Sequence, residues 1–178
     1  MKKIKIALVL FTSIVTSWIG LAQDAKTQVN VDFKIRNLGI NVDGRFNTSS
    51  ITSNFSSQDL SQWVLYGYVD VNSIDTDNKK RDKHLLEEEY FDVSTYPKIE
   101  LEATNFIKTS ENNYKVTVNL TIKRTTKSLV IPVEIIGDSS NFKLKSNFEI
   151  NRKHFGVGGS SLILSNTVKI YVLSLIHI

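Results

Sequence analysis

Histidine and carboxylate side chains offer this sequence its best chance of proton transfer or metal chemistry, and there is little of the first: His84, His154 and His177. Only His84 has acidic neighbours at a useful spacing. In RDKHLLEEE, helical geometry would bring Glu87 and Glu88 within reach of the imidazole, a pairing that could ligate a metal or move a proton. A zinc site needs three or four ligands, and the sequence has no second histidine nearby and no cysteine at all, so the pair reads as a solvated helix face. The glycines of GVGGSS, residues 156–161, could turn backbone amides toward a phosphate. Such loops act with a helix N-terminus behind them, whereas a strand follows here, so a hairpin connection is expected. There is no G-x-S-x-G elbow and no histidine beside a candidate nucleophile, so no hydrolase chemistry is supported. The sequence does not read as that of an enzyme. In TIKRTTKS, residues 121–128, Lys123, Arg124 and Lys127 either meet an anionic head group or decorate a hairpin turn.

The elements that would position these groups are strands. After residue 28, apolar and polar side chains alternate with period two, the mark of half-buried strands. Val29, Val31, Phe33 and Ile35 form one such face; Trp63, Leu65, Gly67, Val69 and Val71 another; Ile99, Leu101 and Ala103 a third. Val116, Val118, Leu120 and Ile122, then Ile131, Val133 and Ile135, then Phe142, Leu144, Phe148 and Ile150 continue the pattern. Weaker strands are expected at 40–46, 50–56 and 161–171. Eight or so antiparallel strands with one helix point to a closed barrel or a sandwich, and closure is favoured because open strands would expose sheet edges. Pro132 lies inside a strand run, where it cannot donate to a ladder, so an edge, bulge or corner is expected there.

At the N-terminus, Lys2, Lys3 and Lys5 precede an apolar stretch that ends in Gly20 and Ala22, which predicts a signal peptide over 1–22 and a periplasmic or secreted chain with no integral span after cleavage. Three of the 22 basic residues fall in that segment, leaving 19 against 18 acidic ones. So even a balance gives no reason to expect a nucleic-acid partner. Residues 23–178 then form a single domain. The last six residues, LSLIHI, look like the translation of a sequencing-library transposon end, and are expected to be artefactual.

Residues 70–97 interrupt the strands. Asp75, Asp77 and Asn78 supply acceptors for a helix start, a short helix is predicted over about 79–93, and Leu85, Leu86, Tyr90 and Phe91 give it an apolar side. SIDTDNKKRDKHLLEEEYFDVSTYPKIEL in this region resembles the hallmark stretch of the YceI-like family of exported bacterial proteins. VNVDFKIRNLGINVDGRF, NLTIKRTTKSLVIPVEI and FEINRKHFGVG resemble further segments of that family in the same order. Departures from the family pattern fall at Arg124 and at Lys153 and His154. The resemblance implies an eight-stranded, lipocalin-like antiparallel β-barrel, with the helix near one end, that binds a polyisoprenoid or similar long-chain amphiphile and brings no catalytic residues or cofactor.

On that reading Phe33, Ile35, Trp63, Leu65, Leu101, Val118, Leu120, Phe142, Leu144 and Phe148 are the expected lining of a lipid pocket. Val29, Val31, Ile99, Val116 and Ile122 are assigned to strand ends and general core. Arg36, Arg81 and Arg152 are candidates for the head group, since guanidinium pairs well with phosphate oxygens. The protein would carry or sequester its lipid; a homodimer is left open. The competing reading is a structural or stress-related binding module with a packed core and a protein partner on its surface.

Overall fold

The computed structural model describes residues 28–55, 57–137 and 141–177. The expected signal segment lies outside them. Ten strands form one sheet: β1 (Gln28–Asn37), β2 (Ile40–Phe46), β3 (Ser49–Asn54), β4 (Val64–Asp70), β5 (Ile74–Asp75), β6 (Lys98–Lys108), β7 (Asn113–Ile122), β8 (Thr125–Gly137), β9 (Asn141–Asn151) and β10 (Leu164–His177). Their order is β3-β4-β6-β7-β8-β9-β10-β1-β2-β5, with every neighbouring pair antiparallel. Ten strands replace the expected eight, partly because the two-residue β5 adds a short rung beyond β2. The sheet also curls into a half-barrel rather than closing by a continuous ladder. The edge strand β3 approaches β1 where the Ser49 hydroxyl donates to the Val29 carbonyl at 2.8 Å.

Between β8 and β9 the ladder covers only Glu134–Gly137 against Phe142–Lys145, although both strands run on well beyond it. Pro132, which has no N–H, stands just past the last rung, and the Ser146 hydroxyl donates to its carbonyl at 2.6 Å. The strands therefore part at a seam beside the proline. Across β1 and β2, Phe33 faces Gly44, and its ring occupies the space that a Cβ at residue 44 would fill.

The helix is shorter than expected. After 3₁₀ turns at Leu60–Gln62 and Val71–Ser73, α1 spans only Lys79–Leu85 and the chain continues in turns to about residue 95. Asn78 caps the start, its Oδ1 accepting from the Arg81 amide at 3.0 Å. Three consecutive glutamates, Glu87–Glu89, would sit at the negative pole of a longer helix, which disfavours its extension, and Asp92 adopts φ 49°. Toward the other terminus β10 runs to His177, with Ser174 and Ile176 buried.

Candidate functional site

The two ends of the half-barrel are filled differently. Away from α1, Phe55 packs at ring-centroid distances of 4.9 Å from Trp63 and 5.1 Å from Phe142, while Trp63 lies 5.5 Å from Phe106 and 5.2 Å from Tyr114. The Trp63 indole also donates to the Ser57 carbonyl at 2.6 Å. Val116 and Val118 are fully buried against these rings. Toward α1 the interior opens into a cavity of about 360 Å³ with an almost wholly apolar lining.

Of the pocket residues expected from sequence, Phe33, Ile35, Leu65, Leu101, Leu120 and Leu144 line this cavity. Trp63, Val118, Phe142 and Phe148 do not. Alternation correctly turns them inward, but they point into the packed end or, for Phe148, against its cluster. Conversely, Val29, Val31, Ile99 and Ile122, assigned to strand ends and core, line the cavity, whereas Val116 belongs to the core. Strands read only weakly in the sequence complete the wall through Val42, Phe46, Ile51, Val168, Ile170 and Val172. Leu85, Tyr90 and Phe91 form its roof, and Leu86 packs nearby on the Phe46, Val69 and Ile74 cluster.

The three candidate arginines separate. Arg36 is exposed and does not line the cavity, because alternation that turns Phe33, Ile35 and Asn37 inward sends residue 36 outward. Arg152 lines the cavity and is buried, yet all five of its N–H donors are occupied. Its Nε donates to the Ser165 carbonyl at 2.9 Å, Nη1 to those of Val157 and Gly159 at 2.8 and 3.1 Å, and Nη2 to the Leu164 carbonyl and Asn166 Oδ1 at 3.3 and 3.4 Å. No donor remains for a head group. The glycines of residues 156–159 thus belong to a loop whose carbonyls hold a cation rather than an anion cradle, and Gly158 (φ 65°) leaves room for Tyr90 and Arg152 at its Cα.

Arg81 also lines the cavity and is half-buried. Its Nε donates to Thr76 Oγ1 at 2.7 Å and Nη2 to the Thr76 carbonyl at 2.5 Å, leaving Nη1 available. Thr76 in turn donates through both its amide and its hydroxyl to the buried Asp82 Oδ1, at 2.9 and 2.5 Å, which fixes the base of the arginine. His84 is the exposed member of the lining, at the cavity's solvent side, and its Nδ1 lies 2.9 Å from Glu87 Oε2. Among the described residues no group of three or more His, Cys, Asp or Glu is placed to hold a metal. Lys123, in the two-residue β7–β8 turn, donates to the Glu88 carbonyl at 2.9 Å and ties that turn to the roof.

A family model described as the YceI-like domain matches residues 23–173. The chain belongs to the YceI-like family. Among curated members, a UPF0312 protein of Pseudomonas aeruginosa is 29% identical over 147 residues, covering 79% of this chain and 76% of its own length. Solved structures share the fold. BcnA of Burkholderia cenocepacia superposes with a TM-score of 0.77 at 22% identity, covering 83% of this chain and 95% of BcnA. A polyisoprenoid binding domain from Saccharophagus degradans, implicated in plant cell wall breakdown, reaches a TM-score of 0.69 at 13% identity, covering 84% of this chain and 94% of that domain. Within this YceI-like chain, no described helix is long and apolar enough to cross a membrane.

Proposed function

We propose that this YceI-like protein binds a polyisoprenoid or similar long-chain amphiphile in its cavity and carries or sequesters it, unchanged, in the periplasm or outside the cell. The observation that carries this reading is the continuous apolar cavity under α1, with Arg81 and His84 among its few polar lining groups. At about 0.8 kcal/mol per buried methylene, a few isoprene units offset the roughly 4–15 kcal/mol entropic cost of association. The binding activity named for the Saccharophagus domain supports the same ligand class. Arg81, whose Nη1 is unspent, is the residue we propose to meet a phosphate or other polar end.

The competing packed-core module fits less well, since a cavity of this volume lies in the usual range of small-molecule sites. Organic extraction of the purified protein, with mass spectrometry of the extract, is the deciding experiment. A bound long-chain lipid, or uptake of a long-chain probe by stripped protein, is the expected result. A clean extract from folded protein that also takes up no probe overturns the proposal.

A further inference from the structure

Large apolar side chains stand in solvent at the tips beside the cavity's α1 end. Leu162 is fully exposed, Ile40 and Leu38 are 71% and 68% exposed, and Ile163 is 52% exposed. They form one patch, because the Leu38 amide donates to the Ile163 carbonyl at 2.9 Å. Asn37 and Leu164, the residues next to those two, are cross-strand partners and line the cavity, so the patch continues the cavity rim. The Leu162 loop is held by its own bonds, with Ser161 Oγ accepting from the amides of Ile163 and Leu164 at 3.2 and 3.0 Å.

Folding does not call for these side chains. Leu38 and Gly39 form a two-residue hairpin turn with φ of 50° and 77°, a geometry that suits asparagine or glycine and strains leucine. The surrounding charge favours cations. Arg36, two residues before Leu38, is exposed, and Lys153 donates to Ser160 Oγ at 3.3 Å beside the Leu162 loop. Lys34 and Asp43 neutralise each other at 3.0 Å, and the Glu89 carboxylate lies beside Gly159.

We infer that these tips dock the protein on an anionic lipid bilayer, with Leu38 and Leu162 inserted among the acyl chains and Arg36 and Lys153 at the head groups. The inference rests on the lipid-binding reading for its purpose, since docking there would set the cavity rim against the membrane that holds the ligand. Apolar insertion and cationic attraction are together sufficient for reversible surface binding.

Flotation with phosphatidylglycerol–phosphatidylcholine vesicles tests it on the full chain. L38D/L162D is expected to lower partitioning about tenfold or more, since each exposed leucine loses its insertion energy. Aspartate tolerates a positive φ better than leucine, so the turn is not put at risk. R36E/K153E is expected to weaken binding to these vesicles and to make what remains insensitive to salt. V130D, at an exposed valine on β8 away from the patch, is expected to float like the original protein. Equal partitioning of L38D/L162D and the original overturns docking, as does an equal loss in V130D. So does conversion of a dimer to a monomer by L38D/L162D with vesicle binding unchanged, which would assign the patch to a second copy. Uptake of a detergent-dispersed long-chain probe, measured without vesicles, separates the two readings. Its absence in the original protein overturns the carrier reading alone.

Discussion

The packed end and the hollow end are made from the same kind of strand, with the same alternation, yet only one of them is solid. At the packed end the inward positions carry rings, and Phe55, Trp63, Phe106, Tyr114 and Phe142 meet across the interior. At the hollow end the rings of Phe33, Phe46 and Phe91 gather to one side under the roof from α1, while aliphatic side chains such as Ile99, Leu101, Leu120, Ile122, Val168 and Ile170 line the walls without filling the space between them. Whether side chains meet across the interior, rather than their polarity, separates the solid end from the hollow one here. The packed end stabilises the fold so that the other can leave contacts unmade, since an apolar void forfeits dispersion energy.

Substitutions can break this division or sharpen it. The largest effect is expected at the packed end: Phe106→Ala should cost about 3–5 kcal/mol in denaturant unfolding, while the folded protein still takes up a long-chain probe. Loss of uptake with unchanged stability would reverse the roles assigned to the two ends. Arg152→Met leaves five acceptors between residues 157 and 166 without their donor and is expected to cost about 3 kcal/mol, with faster amide exchange over residues 156–164. Leu101→Trp fills the hollow, and uptake should fall at least about tenfold while stability changes by less than about 1.5 kcal/mol. At the packed end the same enlargement would overpack the core.

The wall between the ends supplies a smaller effect. Tyr66 donates its hydroxyl to Glu100 Oε1 at 2.5 Å, and this bond, ahead of burial and the nearby negative charge, pushes the phenol up to about 12 from 10.0. The unfolded chain loses that proton first, so the associated stability is complete below pH 10 and is lost between pH 10 and about 12. Absorbance titration should show one late tyrosine that Glu100→Gln returns toward 10; an unshifted titration in both proteins contradicts it. Smallest of all, the Ser174 hydroxyl is buried with no partner among the described residues, so Ser174→Ala should raise stability by up to about 1 kcal/mol in the same denaturant series.

Which face of each strand turns inward was legible from alternation alone, because a period of two leaves no other assignment. Height along the strand was not. Val118 and Leu120 share a strand and a face, but one is core and the other cavity wall, and nothing in the repeat distinguishes them. Ser146 shows a different gap: it occupies the inward phase between Leu144 and Phe148, and an apolar reading of β9 passes over it, yet it lines the cavity and latches Pro132. Arg152 was legible as a cation, but its partners are mostly backbone carbonyls, which carry no signature in sequence. The helix was placed correctly at its start, where Asn78 caps it, and overextended at its end, where consecutive glutamates oppose the dipole.

The register of β1 with β10 pairs Gln28 with Leu175 and runs on to Asn37 with Leu164. One wall of the hollow is therefore stitched from the first and the last described strands, and no contiguous half of the chain contains it. Contacts of such long sequence separation demand loop closure before they return any energy, which slows folding toward the millisecond-to-second range of β-rich topologies. The hollow comes into being only when β10 docks on β1, so no stretch of chain that lacks β10 can enclose it.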